Sequence, residues 1–160
     1  MSRGFENMEK DFERIVREIR EFNRDDFPII VATEAENHFK KSFDNQGFTD
    51  QVLQKWKPRD VDSHPDKYSK RERAKSQGRA ILIGHNSGDH LRDSIHAIRS
   101  GSQVIITSNK EYANIHNKGG QAGRNLSATI PKRQFAAHSA VLDLTVKHKL
   151  DRRIIKIFKI

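Results

Sequence analysis

The sequence predicts an α+β fold: an N-terminal helical pair and a long C-terminal helix packed on a small antiparallel β-sheet, with a long basic irregular loop. Three observations lead there. Apolar residues recur at helical spacing in the first 44 residues and again from 137 to 158. Two alternating segments flank a glycine between 95 and 108. The stretch 45–79 is charged and shows no sustained period. With 160 residues the chain fits one domain, 1–160.

The elements follow in order. Met8, Phe12, Ile15, Val16, Ile19 and Phe22 predict a helix over 5–23, with Glu and Arg between them. Asn23 to Asp26 is read as its break. Asp26 can cap a second helix that starts with Phe27 and Pro28. Phe27, Ile30, Val31, Ala35, Phe39 and Phe43 mark that helix's buried face to about Asp44. A short polar link between two amphipathic helices predicts an antiparallel pair over 5–44.

Gly47, Pro58, Pro65 and Gly78 punctuate the loop over 45–79. Its end is basic: Lys67, Lys70, Arg71, Arg73, Lys75 and Arg79 face Glu72 alone. Phe48, Leu53 and Trp56 are apolar anchors, for this core or for a neighbouring subunit. The loop is expected to be the least ordered part of the free subunit and to become ordered on assembly.

The stretch 80–135 is predicted to hold the small sheet and its loops. Residues 81–83 form an edge strand or a loop anchor, and Gly88 to Ser94 one or two helical turns. Ile95 to Arg99 and Gln103 to Ser108 pair around Ser100-Gly101-Ser102, with Val104 and Ile106 on one face and Ile105 and Thr107 on the other. Glu111 to Asn117 suits a short helix ended by Gly119 or Gly120 in a left-handed conformation. Leu126 to Ile130 reads as a third strand closed by Pro131. Val141, Leu144, Leu150, Ile154, Ile157 and Phe158 mark the last helix, over 137–158.

Composition restricts function. The chain is 34% hydrophobic and 32% charged, enough for one modest core with segments left on the surface or on a partner. It has no cysteine, which excludes disulfides and thiolate zinc sites. No apolar run approaches the ~18 residues of a membrane span. The chain is read as a soluble protein made and used in the cytoplasm. The net charge of +9 is uneven: residues 1–80 hold 17 Lys and Arg against 16 Asp and Glu, and residues 81–160 hold 13 against 5. A basic second half suits nucleic acid or an acidic protein neighbour, or serves solubility alone.

Eight histidines invite a metal or nuclease reading. His85, His90 and His116-Asn117 suggest an HNH-like site, but the acids near them are only Asp89 and Asp93. No metalloprotease, P-loop or nucleophile-elbow pattern is present. No catalytic residue, cofactor or metal is therefore expected. Gly119 to Arg124 resembles a phosphate loop only weakly and reads as a connection. Phe135 is expected to enter the core and pin the last helix, with Tyr112, Ile115 and His116 at the same corner. His116 is read as a packing residue whose ring bonds a neighbouring backbone group. Arg133 is placed to make a forked contact with a carboxylate or phosphate.

Four blocks carry a resemblance. They are Trp56-Lys57-Pro58-Arg59, then Gly88-Asp89-His90-Leu91-Arg92-Asp93-Ser94-Ile95, then Tyr112-Ala113-Asn114-Ile115-His116-Asn117-Lys118-Gly119-Gly120, then Ile130-Pro131-Lys132-Arg133-Gln134-Phe135. Their residues and order resemble the phage virion morphogenesis (tail completion) family of Mu-like phages and prophages. The resemblance covers roughly residues 10–140. Ala136 departs from it, standing where many relatives have a larger apolar residue.

The resemblance implies a non-enzymatic head–tail joining protein of the virion neck, assembled in the host cytoplasm. It implies a homo-oligomeric, hexameric ring around the DNA path. The partners implied are the head–tail connector, tail tube or terminator proteins and, weakly and without sequence preference, phage DNA; no membrane is implied. Tyr112, Ile115, His116, Gly119, Gly120, Pro131 and Phe135 would be structural motif residues. Arg124, Lys132, Arg133, Lys70, Arg71, Arg73 and Lys75 would contact DNA or partners. Two other readings are a capsid-assembly accessory protein and a small basic nucleic-acid-binding protein.

Overall fold

The computed structural model describes residues 2–83, 90–101 and 103–158, with side chains from Phe5 onward. Residues 2–44 form one helical rod. Helix α1 (Ser2–Glu21) runs through a π-helical segment (Phe22–Asp26) into α2 (Phe27–Asp44) without leaving helical dihedrals. The expected break at Asn23 to Asp26, and with it the antiparallel pair over 5–44, is corrected. None of these four residues is Gly or Pro, so nothing forces the chain out of a helix. Pro28 has no N–H to give, and its ring would press on the carbonyl one turn back. A wider turn placed just before it relieves that pressure, with Phe27 N–H reaching the Phe22 carbonyl. Asp26 does not cap; its carboxylate takes the Arg153 guanidinium at 2.6 Å.

The antiparallel partner of the rod is the C-terminal helix α6 (Ala140–Phe158). Lys149 pairs with Glu34, Arg153 with Asp26, and Arg14 Nη1 donates to the Ile157 carbonyl at 3.1 Å, so one helix rises as the other descends. The Arg14 bond satisfies one of the carbonyls that a helix end leaves unpaired. Of the apolar stripe expected on α6, Ile157 is buried and Val141 and Leu150 are half-buried, but Leu144, Ile154 and Phe158 are exposed. On α1, Phe5, Met8 and Phe12 stay 72%, 59% and 68% exposed. The rod outruns its partner, so the start of its apolar face, as far as Phe12, meets solvent.

Three antiparallel hairpins replace the single sheet expected. They are β1 (Gly47–Thr49) with β2 (Leu53–Lys55), β3 (Ile95–Ser100) with β4 (Gln103–Ser108), and β5 (Gly120–Ala122) with β6 (Ala128–Ile130). The β3–β4 register joins Ser100 to Gln103 across a turn in which Gly101 takes φ +58°. Val104 and Ile106 are half-buried while Ile105 and Thr107 are exposed, as the alternation predicts. The third predicted strand is shorter than expected and pairs with β5, not with the β3–β4 hairpin. Leu126 is exposed at φ +54° and cannot extend it.

The segment 45–79 is not an irregular loop throughout. It holds β1, β2, a short helix α3 (Asp60–Ser63), a 3₁₀ turn and α4 (Lys70–Ser76). A capping box starts α4: Ser69 Oγ accepts from Glu72 N–H while the Glu72 carboxylate accepts from Ser69 N–H. Phe48 and Trp56 are buried in the chain's own core, and Leu53 is exposed. The apolar 81–83 run is an anchor, not a strand. The Gln46 side chain accepts from Ile81 N–H at 2.5 Å and also donates to the Phe43 and Ile81 carbonyls.

The core gathers Ala35, Phe39 and Phe43 of α2 with Phe48, Trp56, Leu91, Ile95 and Phe135. Phe43 lies at its centre, edge-on to Trp56 and tilted against Phe135, each with ring centres 5.3 Å apart.

Candidate functional site

All four sequence blocks converge on this core. From the first, Trp56 is buried and its indole N–H donates to the Gln134 carbonyl at 2.6 Å. From the second, Leu91, Ser94 and Ile95 are buried and a 3₁₀ turn covers Arg92–Ser94; Gly88 and Asp89 lie outside the described residues, as does His85. Phe135 of the fourth block is 4% exposed. It touches the helical rod through backbone as well as ring, since Ser42 Oγ donates to its carbonyl at 3.1 Å.

The third and fourth blocks are tied together by backbone. Helix α5 (Ala113–Lys118) ends at Gly119, whose φ of +76° and ψ of 173° lie in a region essentially restricted to glycine. This is a positive-φ stop, as expected, but not the compact left-handed cap. A Cβ on Gly119 would stand 2.9 Å from Lys132 N, so the two strands of chain pass too closely for a side chain. Gly120 pairs with Ile130 in the β5–β6 ladder, and Pro131 closes it. Arg133 N–H donates to the His116 carbonyl at 2.8 Å.

Asn117 is the tie that sequence reasoning missed. Its Oδ1 accepts from Phe135 N–H at 2.7 Å and Ala136 N–H at 3.0 Å, and its Nδ2 donates to the Ala136 carbonyl at 2.9 Å. An amide has both donors and acceptors, so it can stand in for a missing strand partner. Its place within the third block, two residues before a glycine pair, was the available signal. A cleft of about 150 Å³ opens beside Ala136, where a larger side chain would sit.

Tyr112 stacks edge-on with His116, ring centres 5.7 Å apart, but is itself 45% exposed. Ile115 is half-buried and approaches Gly120. The corner of Tyr112, Ile115, His116 and Phe135 is therefore graded, with Phe135 in the core and Tyr112 at the rim. The His116 ring does not make the backbone bond expected of it: Nδ1 is buried with no partner. Burial holds its pKa below the usual 6.5, and the Arg133 charge adds to this.

The cationic residues fall into two kinds. Lys70, Arg71, Arg73 and Lys75 on α4, with Arg124 and Lys132 beside the β5–β6 hairpin, are exposed. None of these six forms an ion pair among the described residues. Arg133 is different. It is only 8% exposed, with Nε donating to the Lys57 carbonyl at 3.1 Å and Nη2 to the Pro58 carbonyl at 3.4 Å. Its fork meets carbonyls of the first block and no carboxylate, so it is recessed and not a protruding contact. Burial, and then the neighbouring Arg59, holds its pKa below the ordinary arginine value.

Among the described residues no group of three or more His, Cys, Asp or Glu stands close enough to hold a metal. None of their helices is long and apolar enough to cross a membrane. What the blocks build is a scaffold: a buried aromatic centre, a glycine crossing and an amide tie.

No match was found among the curated proteins or among the solved structures. A family model does match, that of the phage virion morphogenesis family, over residues 7–149. That span holds nearly all of the helical rod, the three hairpins, all four blocks and the first half of α6, and so this chain belongs to the phage virion morphogenesis family.

Proposed function

We propose that the protein completes the phage tail and joins it to the head, as a closed homo-oligomeric ring around the DNA path in the virion neck. The observation that carries this reading is the solvent-facing stripe of Phe5, Met8 and Phe12 on the part of α1 that outruns α6. A monomer gains nothing from three large apolar side chains on a projecting helix, and a neighbour's groove would bury them. Rings use head-to-tail interfaces, in which one patch complements a different patch on the next copy. The six unpaired cations of α4 and the β5–β6 hairpin suit the other surface, facing DNA or an acidic connector. A hexamer is the ring size proposed, and the work done is assembly, without catalysis.

The test is complementation of a phage lacking this protein. A Phe5→Ser, Met8→Ser, Phe12→Ser variant should stay folded, since these side chains are exposed, and should leave filled heads and finished tails unjoined. Charge reversal at Arg124 and Lys132 should do the same. Abundant infectious particles from both variants would contradict the reading. Tight binding of free duplex DNA by the isolated subunit, with a steep salt slope, would favour a nucleic-acid-binding protein instead.

A further inference from the structure

A cavity of about 320 Å³ lies behind the corner, lined by Arg59, Arg79, Arg133, His90, His116 and Tyr112 over an apolar floor that includes Leu91. Three arginines and two histidines share its wall, although Arg59 already donates from Nη1 to the Arg79 carbonyl at 2.8 Å and from Nη2 to the Ala80 carbonyl at 2.5 Å. Among the described residues the carboxylate paired with this wall is Asp62, 3.4 Å from Arg59 Nη1, and it is not among the lining residues. Arg79 and Arg133 have no carboxylate partner among the described residues.

The wall also holds unspent hydrogen-bonding capacity. Arg79 Nε and His116 Nδ1 are buried with no partner. The Nη1 of Arg133 donates to no group of the protein among the described residues. Buried polar atoms are nearly always satisfied, and a buried cation without a counter-charge is costly. Leu82, on the rim, is held at φ +61°, a conformation that a leucine adopts only where its surroundings impose it.

We propose that this cavity is an oxyanion site and that its ligand is one carboxylate or phosphate group, received by Arg79 and Arg133 with Arg59 and His116 beside them. Guanidinium supplies donors only, in a planar fork that matches both oxyanions. The volume is at the small end of ligand sites and admits such a group together with the water or side chain that accompanies it. Arg133 at 8% exposure cannot be reached by the convex backbone of a duplex, so the ligand is a small ion or a side chain that projects into the wall. The site stands whether or not the protein is a neck component, because it rests on the wall and not on the family.

The experiment follows the His116 ring by NMR in the full-length protein at constant ionic strength in chloride. Inorganic phosphate and acetate are titrated separately, to about 100 mM. Saturable shifts of His116 are expected with at least one of them. A stronger response to phosphate marks a phosphate-bearing ligand and a stronger response to acetate marks a carboxylate; either supports the site. Arg79→Gln should weaken binding about tenfold or more, and Arg133→Lys, which keeps charge but loses the fork, should do likewise. If Arg133→Lys fails to fold, Arg79→Gln alone decides. No saturable shift, an equal response to added chloride, or unchanged affinity in Arg79→Gln would overturn the proposal. So would a response to a duplex oligonucleotide and to neither small anion. Binding that emerged only in Asp89→Asn would mean that the counter-ion belongs to the chain itself, and that too would overturn it.

Discussion

Phe135→Ala probes the point at which the four blocks meet. The ring is 4% exposed and packs against Phe43 at 5.3 Å, and Phe43 in turn meets Trp56 at 5.3 Å. Removing a buried phenyl ring costs about 3–5 kcal/mol, less where the surroundings collapse into the space and more where they cannot. Here collapse is resisted. The Phe135 backbone is held at its carbonyl by Ser42 and at its N–H by Asn117, so residue 135 cannot move inward. The upper half of the range, about 4–5 kcal/mol, is expected. For a chain of this size that lowers Tm by roughly 10–20 °C. Urea unfolding and thermal melts followed by circular dichroism measure both quantities. Tyr112→Ala is the control, since a side chain 45% exposed should cost under about 1.5 kcal/mol. A loss below about 1 kcal/mol for Phe135→Ala, or an equal loss at Tyr112, would refute the assignment of Phe135 to the core and Tyr112 to the rim.

Three more outcomes follow from the same geometry. Gly119→Ala should destabilise by about 3 kcal/mol in the same assays, because φ of +76° with ψ of 173° excludes a Cβ and Lys132 N stands 2.9 Å from where it would go; a neutral result would refute the crossing. His116 is held neutral by burial, so the unfolded chain takes up its proton first as pH falls through 6.5; stability should drop from there toward the lowered folded value, and His116→Gln should flatten that part of the profile in phosphate-free buffer, whereas an identical slope would refute the assignment. Amide exchange in the free subunit should be slow at Trp56, whose N–H bonds the Gln46 carbonyl at 2.9 Å, and faster over 60–79, with the latter slowing in the assembled particle; strong protection throughout 60–79 in the free subunit would count against ordering on assembly.

Period and punctuation made much of this fold legible. The β3–β4 hairpin was readable because alternation and a turn glycine agree, and α2's core face because Ala35, Phe39 and Phe43 keep strict i, i+4 spacing. The break at Asn23 to Asp26 was misread because polar residues beside a proline look like a stop. A π turn absorbs the proline's missing donor, and no sequence period announces that. The capping box of Ser69 and Glu72 was in the sequence and marks α4, but the surrounding run of cations drew the reading toward a loop. The separate pairing of β6 with β5 depends on the glycine crossing, a tertiary contact that local pattern does not encode.

The candidate site was partly legible. The motif blocks drew attention to Tyr112, Ile115, His116 and Phe135 as one corner, of which Phe135 lies in the core and Tyr112 at the rim. Asn117 escaped because its work is to bond backbone 18 and 19 residues away, which spacing alone does not reveal. Arg59 and Arg79 escaped for a related reason: they become neighbours of Arg133 only through the fold of residues 59–79. Arg133 is expected to make a forked contact with a carboxylate or phosphate; its Nε and Nη2 instead meet the Lys57 and Pro58 carbonyls, which spacing alone does not reveal.

Reconstruction of the assembled particle at the head–tail joint decides whether this chain forms the proposed ring in the virion neck. The expected result is a closed ring of six copies around the DNA channel, with the Phe5, Met8 and Phe12 face of each α1 covered by the next subunit. A single copy at the joint, or a ring elsewhere in the particle with that face still exposed, would contradict it.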